Sequence, residues 1–248
     1  MHPDWIVADG LPAAVGAVMT TRAGGTSRAP WHSMNLGDAV GDAAGAVARN
    51  RSLLAQSIGA TPVWLRQRHG TRVVRVGAAD ADRPPQEADA SLSTEPRIAC
   101  TVQVADCLPV LLAAADGRAV AAAHAGWRGL ADGIVEATVG ALCEAAACEP
   151  RDVRAWLGAC IGLRRFEVGR DVFDAFGGGA RFVAAAPAAG TAKWFADLAG
   201  LARDRLAVSG DDRVGGGRWC SVEDSSRFFS FRRDGVTGRM VAAIWRIA

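Results

Sequence analysis

The apolar positions of this chain change period several times, and each change marks an element. Residues 15–21 alternate like a strand and run into a Gly-rich turn, Arg22-Ala-Gly-Gly-Thr-Ser27. A helix is predicted from Asp42, an acceptable N-cap, to Ile58, with Val47, Leu54 and Ile58 on one face and Gly59 as its stop. Residues 63–66 and 73–76 read as short strands flanking Gln67-Arg-His-Gly70, so a histidine sits where a strand turns. Residues 98–104, 109–114 and 119–124 are nearly all apolar, the pattern of strands buried on both faces. Helical periodicity returns over residues 133–146 and 193–206, with a buried strand predicted at 153–157 between them. Residues 241–247 close the chain as a strand or short helix, and the Gly177 and Gly215 triplets read as loops. No repeat or linker interrupts the order. The expectation is an α/β fold over residues 1–248, a single layered domain with mixed β-sheets flanked by helices.

Composition narrows the classes without choosing among them. At 248 residues the chain has length for one large domain or two small ones, and 50% hydrophobic against 22% charged residues suits a globular fold. A net charge of +2 gives no electrostatic case for nucleic acid or an anionic membrane. The most apolar window, residues 98–115, carries Gln103, Asp106 and Pro109 in its middle, which a spanning helix tolerates badly. Two buried strands joined at Asp106-Cys107 explain it better. The first residues lack a basic segment followed by an apolar one, so no export signal is read. Six cysteines without CxxC spacing read as mostly buried thiols, and the expected compartment is the cytoplasm.

The candidate chemistry lies at strand ends. His69 at a strand turn, Cys107 between two strands and His124 at the end of another are borderline-soft ligands in comparable places. A thiolate and two imidazoles with an open fourth position make a plausible catalytic zinc site. Two capped histidines and a buried cysteine fit the same spacing. Arg22 before a Gly-Gly turn, Arg128 in Gly-Trp-Arg-Gly129 and Arg232-Arg233 are candidates for holding an anion. With 27 arginines in the chain, position near a motif says little by itself. Asn35 and Gln67 are candidates for reading the edge of a base, although Asn35 equally fits a turn terminator. Phe228, Phe229 and Phe231 read as core. Asp106 is a candidate acid/base beside Cys107, or else a residue that shapes the turn.

Taken together, the segments resemble a known family. Ala23-Gly-Gly-Thr-Ser27, Ser33-Met-Asn-Leu-Gly-Asp38, Trp64-Leu-Arg-Gln-Arg-His-Gly70, Glu87-Ala-Asp-Ala90, Ala105-Asp-Cys-Leu-Pro109, Ala123-His-Ala-Gly-Trp-Arg-Gly129, Gly158-Ala-Cys-Ile-Gly162 and Phe228-Phe-Ser-Phe-Arg-Arg233 occur in order. They resemble the laccase-domain family, called multicopper polyphenol oxidases in older usage and purine nucleoside phosphorylases in current usage. The likeness covers residues 15–246. It implies a layered α/β fold with mixed sheets and one zinc held by His69, Cys107 and His124. It also implies phosphorolysis of adenosine, inosine and methylthioadenosine, with adenosine deamination beside it. Purine nucleoside and phosphate are then the partners. Editing of peptidoglycan precursors is a further role attached to the family. Departures are Ala159 where proline is usual, and Trp31 and Phe231 where tyrosine is common; the chain has no tyrosine.

Rival readings use the same residues. A multicopper oxidase needs several imidazoles beyond a blue-copper set, and four histidines, one of them His2, are too few. A single copper in the zinc site is the second choice of metal. A thiol hydrolase would take Cys107 as nucleophile, His124 as base and Asp106 or Asn35 as orienter. A non-catalytic scaffold would have no metal at all. The sequence leaves the oligomeric state open.

Overall fold

The long apolar stretch resolves into three strands in the computed structural model, which describes residues 1–186, 192–208 and 213–248. Ile98–Val104, Leu108–Ala114 and Val120–Ala125 are buried at almost every position. They do not form one meander. Ile98–Val104 belongs to a five-stranded sheet ordered Ile6–Val7, Val15–Met19, Met240–Arg246, Ile98–Val104, Thr61–Val63. The chain then crosses at Asp106-Cys107 into a six-stranded sheet ordered Val214–Gly216, Val153–Leu157, Leu108–Ala114, Val120–Ala125, Ala90–Ser93, Val73–Arg75. Both sheets are mixed. The first is antiparallel until Thr61–Val63 joins in parallel, and the second is antiparallel at its centre with a parallel strand at each edge.

Side-chain alternation turns these sheets into layers. Along Leu108–Ala114, Leu111 and Ala113 join a cluster shared with Val102, Val104, Met240 and Ile244 of the first sheet. Their neighbours Leu108, Val110 and Leu112 face the opposite way, against Ile134, Val139 and Leu142 of the helix Ile134–Ala146. The period of two thus covers both faces, one with a sheet and one with helices. Val241, Ala243 and Trp245 do the same for the first sheet, packing with Leu54 and Ile58 of the helix Ala44–Ile58. The result is helix on sheet on sheet on helix. Among the described residues no helix is long and apolar enough to cross a membrane.

Several expectations need correction. The helix read over residues 193–206 is a strand, Trp194–Ala196, followed by a helix, Leu198–Val208. Its aromatic start pairs antiparallel with Phe182–Ala184 and Glu167–Val168, and Asp197 Oδ1 accepts from Gly200 N–H at 2.9 Å where the helix begins. Asp42 does not cap its helix. The N-cap is Ala43, and Asp42 Oδ2 accepts instead from Asn35 Nδ2 at 2.9 Å. Gly59 ends that helix as expected, at φ 63°. The strand read over residues 63–66 breaks at Trp64, because Leu65–Arg66 leaves the sheet to pair with Gln86–Glu87. Residues 241–247, undecided from pattern, form the strand Met240–Arg246. Phe228 and Phe229 are core, whereas Phe231 is 59% exposed.

Leu112 is fully buried between the second sheet and its helices. Leu112→Ala is expected to cost about 2–5 kcal/mol in urea unfolding, through lost transfer energy and the cavity left behind.

Candidate metal centre

Three chain segments end at one point. The loop after Leu65–Arg66 delivers His69 with a backbone φ of 62°, and Asp106, at φ 99°, turns the chain so that Cys107 stands at the start of Leu108–Ala114. His124 lies near the end of Val120–Ala125, whose Ala125 pairs with Leu108. Two of the four non-glycine residues with positive φ among the described residues lie at this site and mark local strain.

The ligand atoms of His69, Cys107 and His124 all lie within 4.8 Å of one another. Cys107 Sγ is 3.7 Å from His69 Nε2, and the two imidazole rings meet edge to face with centroids 4.7 Å apart. A tetrahedral zinc with Zn–S near 2.3 Å and Zn–N near 2.0 Å holds its ligand atoms about 3.5 Å apart. The donor set therefore fits a metal ion with little adjustment. His69 is exposed, Cys107 half-buried and His124 buried, so the cluster opens on one side.

One carboxylate organises this centre. Asp89 is 1% exposed, and its oxygens accept the backbone N–H groups of Arg68, His69 and Gly70 at 2.8–3.2 Å. The same carboxylate lies 2.8 Å from His124 Nδ1, and the Asp89 carbonyl accepts from His124 N–H at 2.7 Å. Asp89 thus fixes the loop bearing one histidine and the ring of the other. Nδ1 of His124 is committed, which leaves Nε2 to act as ligand. Burial raises the Asp89 pKa, but His124 and the amides of Gly70 and Arg68 outweigh it and hold the carboxyl below its ordinary value. Sequence reading missed this residue. The signal was the second carboxylate of Glu87-Ala-Asp-Ala90, just ahead of an apolar strand.

Glycine makes the close approach possible. A Cβ at Gly126 would meet His69 Cδ2 at 2.6 Å and Cys107 Sγ at 3.2 Å, and one at Gly129 would meet the Gly70 carbonyl oxygen at 2.8 Å. Electrostatically, burial pushes the Cys107 thiol up, but His124 and His69 overcome it and bring it down to about 6. Burial pushes His124 down, while Cys107 and Asp89 raise it to about 9. Without metal the pair is a thiolate beside an imidazolium. Burial instead pushes Cys100 up to about 12, leaving it an inert thiol.

The cluster forms one wall of a cavity of about 730 Å³, also lined by Gln67, Val104, Phe231 and Arg239. Of the residues singled out from sequence, His69, Cys107, His124 and Gln67 reach it; Arg22, Asn35, Asp106 and Arg128 are not among its lining residues. Gln67 gives its amide to the backbone of Gln103, donating to the carbonyl at 2.9 Å and accepting from the N–H at 2.7 Å. Arg22 donates to the carbonyls of Ser225 and His32, and Arg128 lies over the Trp127 ring at 4.3 Å. Asn35 is fully buried and makes its contacts with Gly37, Asp42 and Arg239 N–H. Asp106 accepts from Ser221 Oγ and from Arg232 N–H, each at 2.6 Å, so both its oxygens hold the turn. Arg233 bonds the carbonyls of Ser221, Val222 and Phe228.

The family model described as multi-copper polyphenol oxidoreductase laccase matches residues 16–247. A Pseudomonas aeruginosa protein named purine nucleoside phosphorylase is 45% identical over 247 residues, covering 99% of this chain and 97% of that one. The Escherichia coli purine nucleoside phosphorylase YfiH is 44% identical over 95% of this chain and 96% of its own. Among solved structures, a Neisseria meningitidis protein superposes with a TM-score of 0.90 at 43% identity, covering 99% of this chain and all of that one. YlmD from Geobacillus stearothermophilus superposes at 0.87 with 28% identity, over 95% of this chain and 93% of that one.

Two outcomes are expected from this centre. In metal-free protein, alkylation of Cys107 by iodoacetamide should rise with pH through about 6, because the thiolate forms as that pKa is passed; peptide mass spectrometry reads it, with Cys100 unmodified. Asp89→Asn should lower metal affinity by roughly 10–100-fold, the usual loss when a carboxylate behind a metal-bound histidine is removed; competition with a chromogenic chelator measures it.

Proposed function

The chain belongs to the multi-copper polyphenol oxidoreductase laccase family, and from that membership together with the site we propose that it is a zinc-dependent purine nucleoside phosphorylase. Its substrates on this reading are adenosine, inosine and methylthioadenosine with phosphate, and adenosine deamination is a side activity. The observation that carries the reading is the His69, Cys107 and His124 cluster on the wall of a cavity of about 730 Å³, a volume suited to a small-molecule ligand. Relatives covering nearly the whole chain are named purine nucleoside phosphorylases. A thiolate with two imidazoles favours zinc over harder cations, and four histidines are too few for a multicopper cluster.

In phosphorolysis a phosphate oxygen bonds to the ribose anomeric carbon as the bond to the purine nitrogen breaks. The electron pair leaves with the base, which gains a proton, and the sugar passes through an oxocarbenium-like state. When bound, zinc supplies a Lewis acid at the cavity wall. His69, Cys107 and His124 would hold it there. Asp89 keeps the His124 ring turned by accepting at Nδ1, so the donor set is formed before substrate arrives. Phe231 and Val104 give the cavity apolar wall that displaces water from a base. A proton-transfer role for Asp106 is not part of this reading, since Ser221 and Arg232 occupy its oxygens.

A second reading has one observation in its favour. Cys107, His124 and Asp89 form a thiolate, an imidazolium and an orienting carboxylate, the makings of a thiol hydrolase such as one that edits peptidoglycan precursors. The orienter in that case is Asp89, not Asp106 or Asn35. Metal separates the two readings, because a coordinating thiolate is not a free nucleophile.

Adenosine with phosphate is expected to give adenine and ribose 1-phosphate, resolved by chromatography, with inosine from parallel deamination. Removal of metal by a chelator, and Cys107→Ala, should each abolish base release. Phosphate-independent release, or activity that survives in metal-free protein, would turn the assignment to the hydrolase.

A further inference from the structure

Three arginines line the cavity: Arg66, Arg68 and Arg239. Two of them share an acidic partner. Arg68 donates to Glu87 at 2.6 and 3.2 Å, and Arg66 lies 3.8 Å from the same carboxylate; their side chains are 59% and 58% exposed. Arg239 is half-buried and has no carboxylate within ion-pair distance among the described residues. One of its terminal nitrogens, Nη1, donates to the carbonyls of Thr237 and Gly238 at 3.2 and 3.0 Å. Its Nε and Nη2 make no hydrogen bond among the described residues. A partly desolvated cation with open donors is costly unless an anion completes it.

The surrounding chain is shaped to hold this side chain. Asn35 Oδ1 accepts from Arg239 N–H at 2.8 Å, and Leu36 N–H donates to the Arg239 carbonyl at 3.1 Å. A Cβ at Gly37 would stand 2.7 Å from Arg239 Cγ, so the absence of a side chain there gives the arginine its path. Phe231 lies beside the guanidinium at 6.0 Å. Asn35, a candidate for reading a base, forms instead with Leu36 and Gly37 a clamp on the Arg239 backbone and stem.

We propose that Arg239 is the phosphate-binding residue of this cavity, its open Nε and Nη2 forming a fork on orthophosphate. A guanidinium fork matches two oxygens of a tetrahedral anion, which a lysine does not. The proposal rests on the phosphorylase reading for the identity of the anion, while the open cation itself stands on geometry.

The test titrates orthophosphate into metal-loaded protein by calorimetry, without nucleoside, and measures phosphate and nucleoside KM separately. Arg239→Gln should weaken phosphate binding and raise phosphate KM by ~10–100-fold, the usual loss for hydrogen bonds to a charged group. Nucleoside KM should move by no more than about threefold and metal content not at all. Arg239→Lys should recover part of the loss, and Arg118→Gln, an exposed arginine outside the cavity lining, should leave phosphate affinity within about twofold. In the unmodified sequence, orthophosphate should protect Arg239 from phenylglyoxal, read by peptide mass spectrometry, which needs no variant to fold. Undiminished phosphate affinity in Arg239→Gln, no protection, or no phosphate binding at all overturns the proposal. If Arg239-dependent phosphate binding is found but no phosphate-dependent base release, the anion site stands and the phosphorylase reading fails.

Discussion

The centre depends on one buried carboxylate. Asp89 takes three loop amides and the His124 ring, and so joins the His69 loop to the strand Val120–Ala125 through hydrogen bonds to one carboxylate. A buried carboxylate needs its charge repaid by hydrogen bonds, and this one is repaid by the groups whose positions matter for ligation. The demand for satisfaction and the demand for geometry coincide. That is why a loop carrying a histidine at φ 62° can hold its conformation in a site open to solvent on one side.

The same economy runs through the other polar groups nearby. Asp106 stabilises the crossing between the two sheets by holding Ser221 and Arg232 N–H, and Asn35 holds the backbone of Arg239. Each is buried and polar, and each serves a neighbour rather than the cavity directly. Cys107 and Arg239, which line the cavity, stand immediately beside or upon these anchors. Reactive groups are presented by residues whose polar atoms are already hydrogen-bonded to the neighbouring chain.

Much of this was legible in the sequence, and the division follows physical lines. Nearly continuous apolar runs of strand length identified the central strands, since strands covered on both faces leave no polar positions. They could not tell that Ile98–Val104 and Leu108–Ala114 join different sheets, because pairing partners are not encoded in local period. The Trp194–Ala196 strand was hidden by a helical continuation, and only its pairing with Phe182–Ala184 fixes it as extended. At the site, the soft ligands His69, Cys107 and His124 stood out because histidine and cysteine are scarce here. Asp89 and Arg239 did not, because 26 acidic residues and 27 arginines conceal a single important one. Rarity of a side-chain type, more than its role, decided what could be read.

The location of the centre follows from the layering. Two sheets stacked face to face bury both of their inner faces, so a polar site has to form where strands end and the backbone leaves the stack. Asp106-Cys107 is such a point, the crossing from one sheet to the other, and Gly126 supplies the space that brings Cys107 and His69 together. Phe231 also lines the cavity. It follows the buried Phe228 and Phe229 yet is itself 59% exposed, because Ser230 caps a short helix and turns it toward the cavity mouth. Packed 6.0 Å from the Arg239 guanidinium, its ring gives the cavity a flat apolar surface where the strands have ended and the stacked sheets no longer cover it.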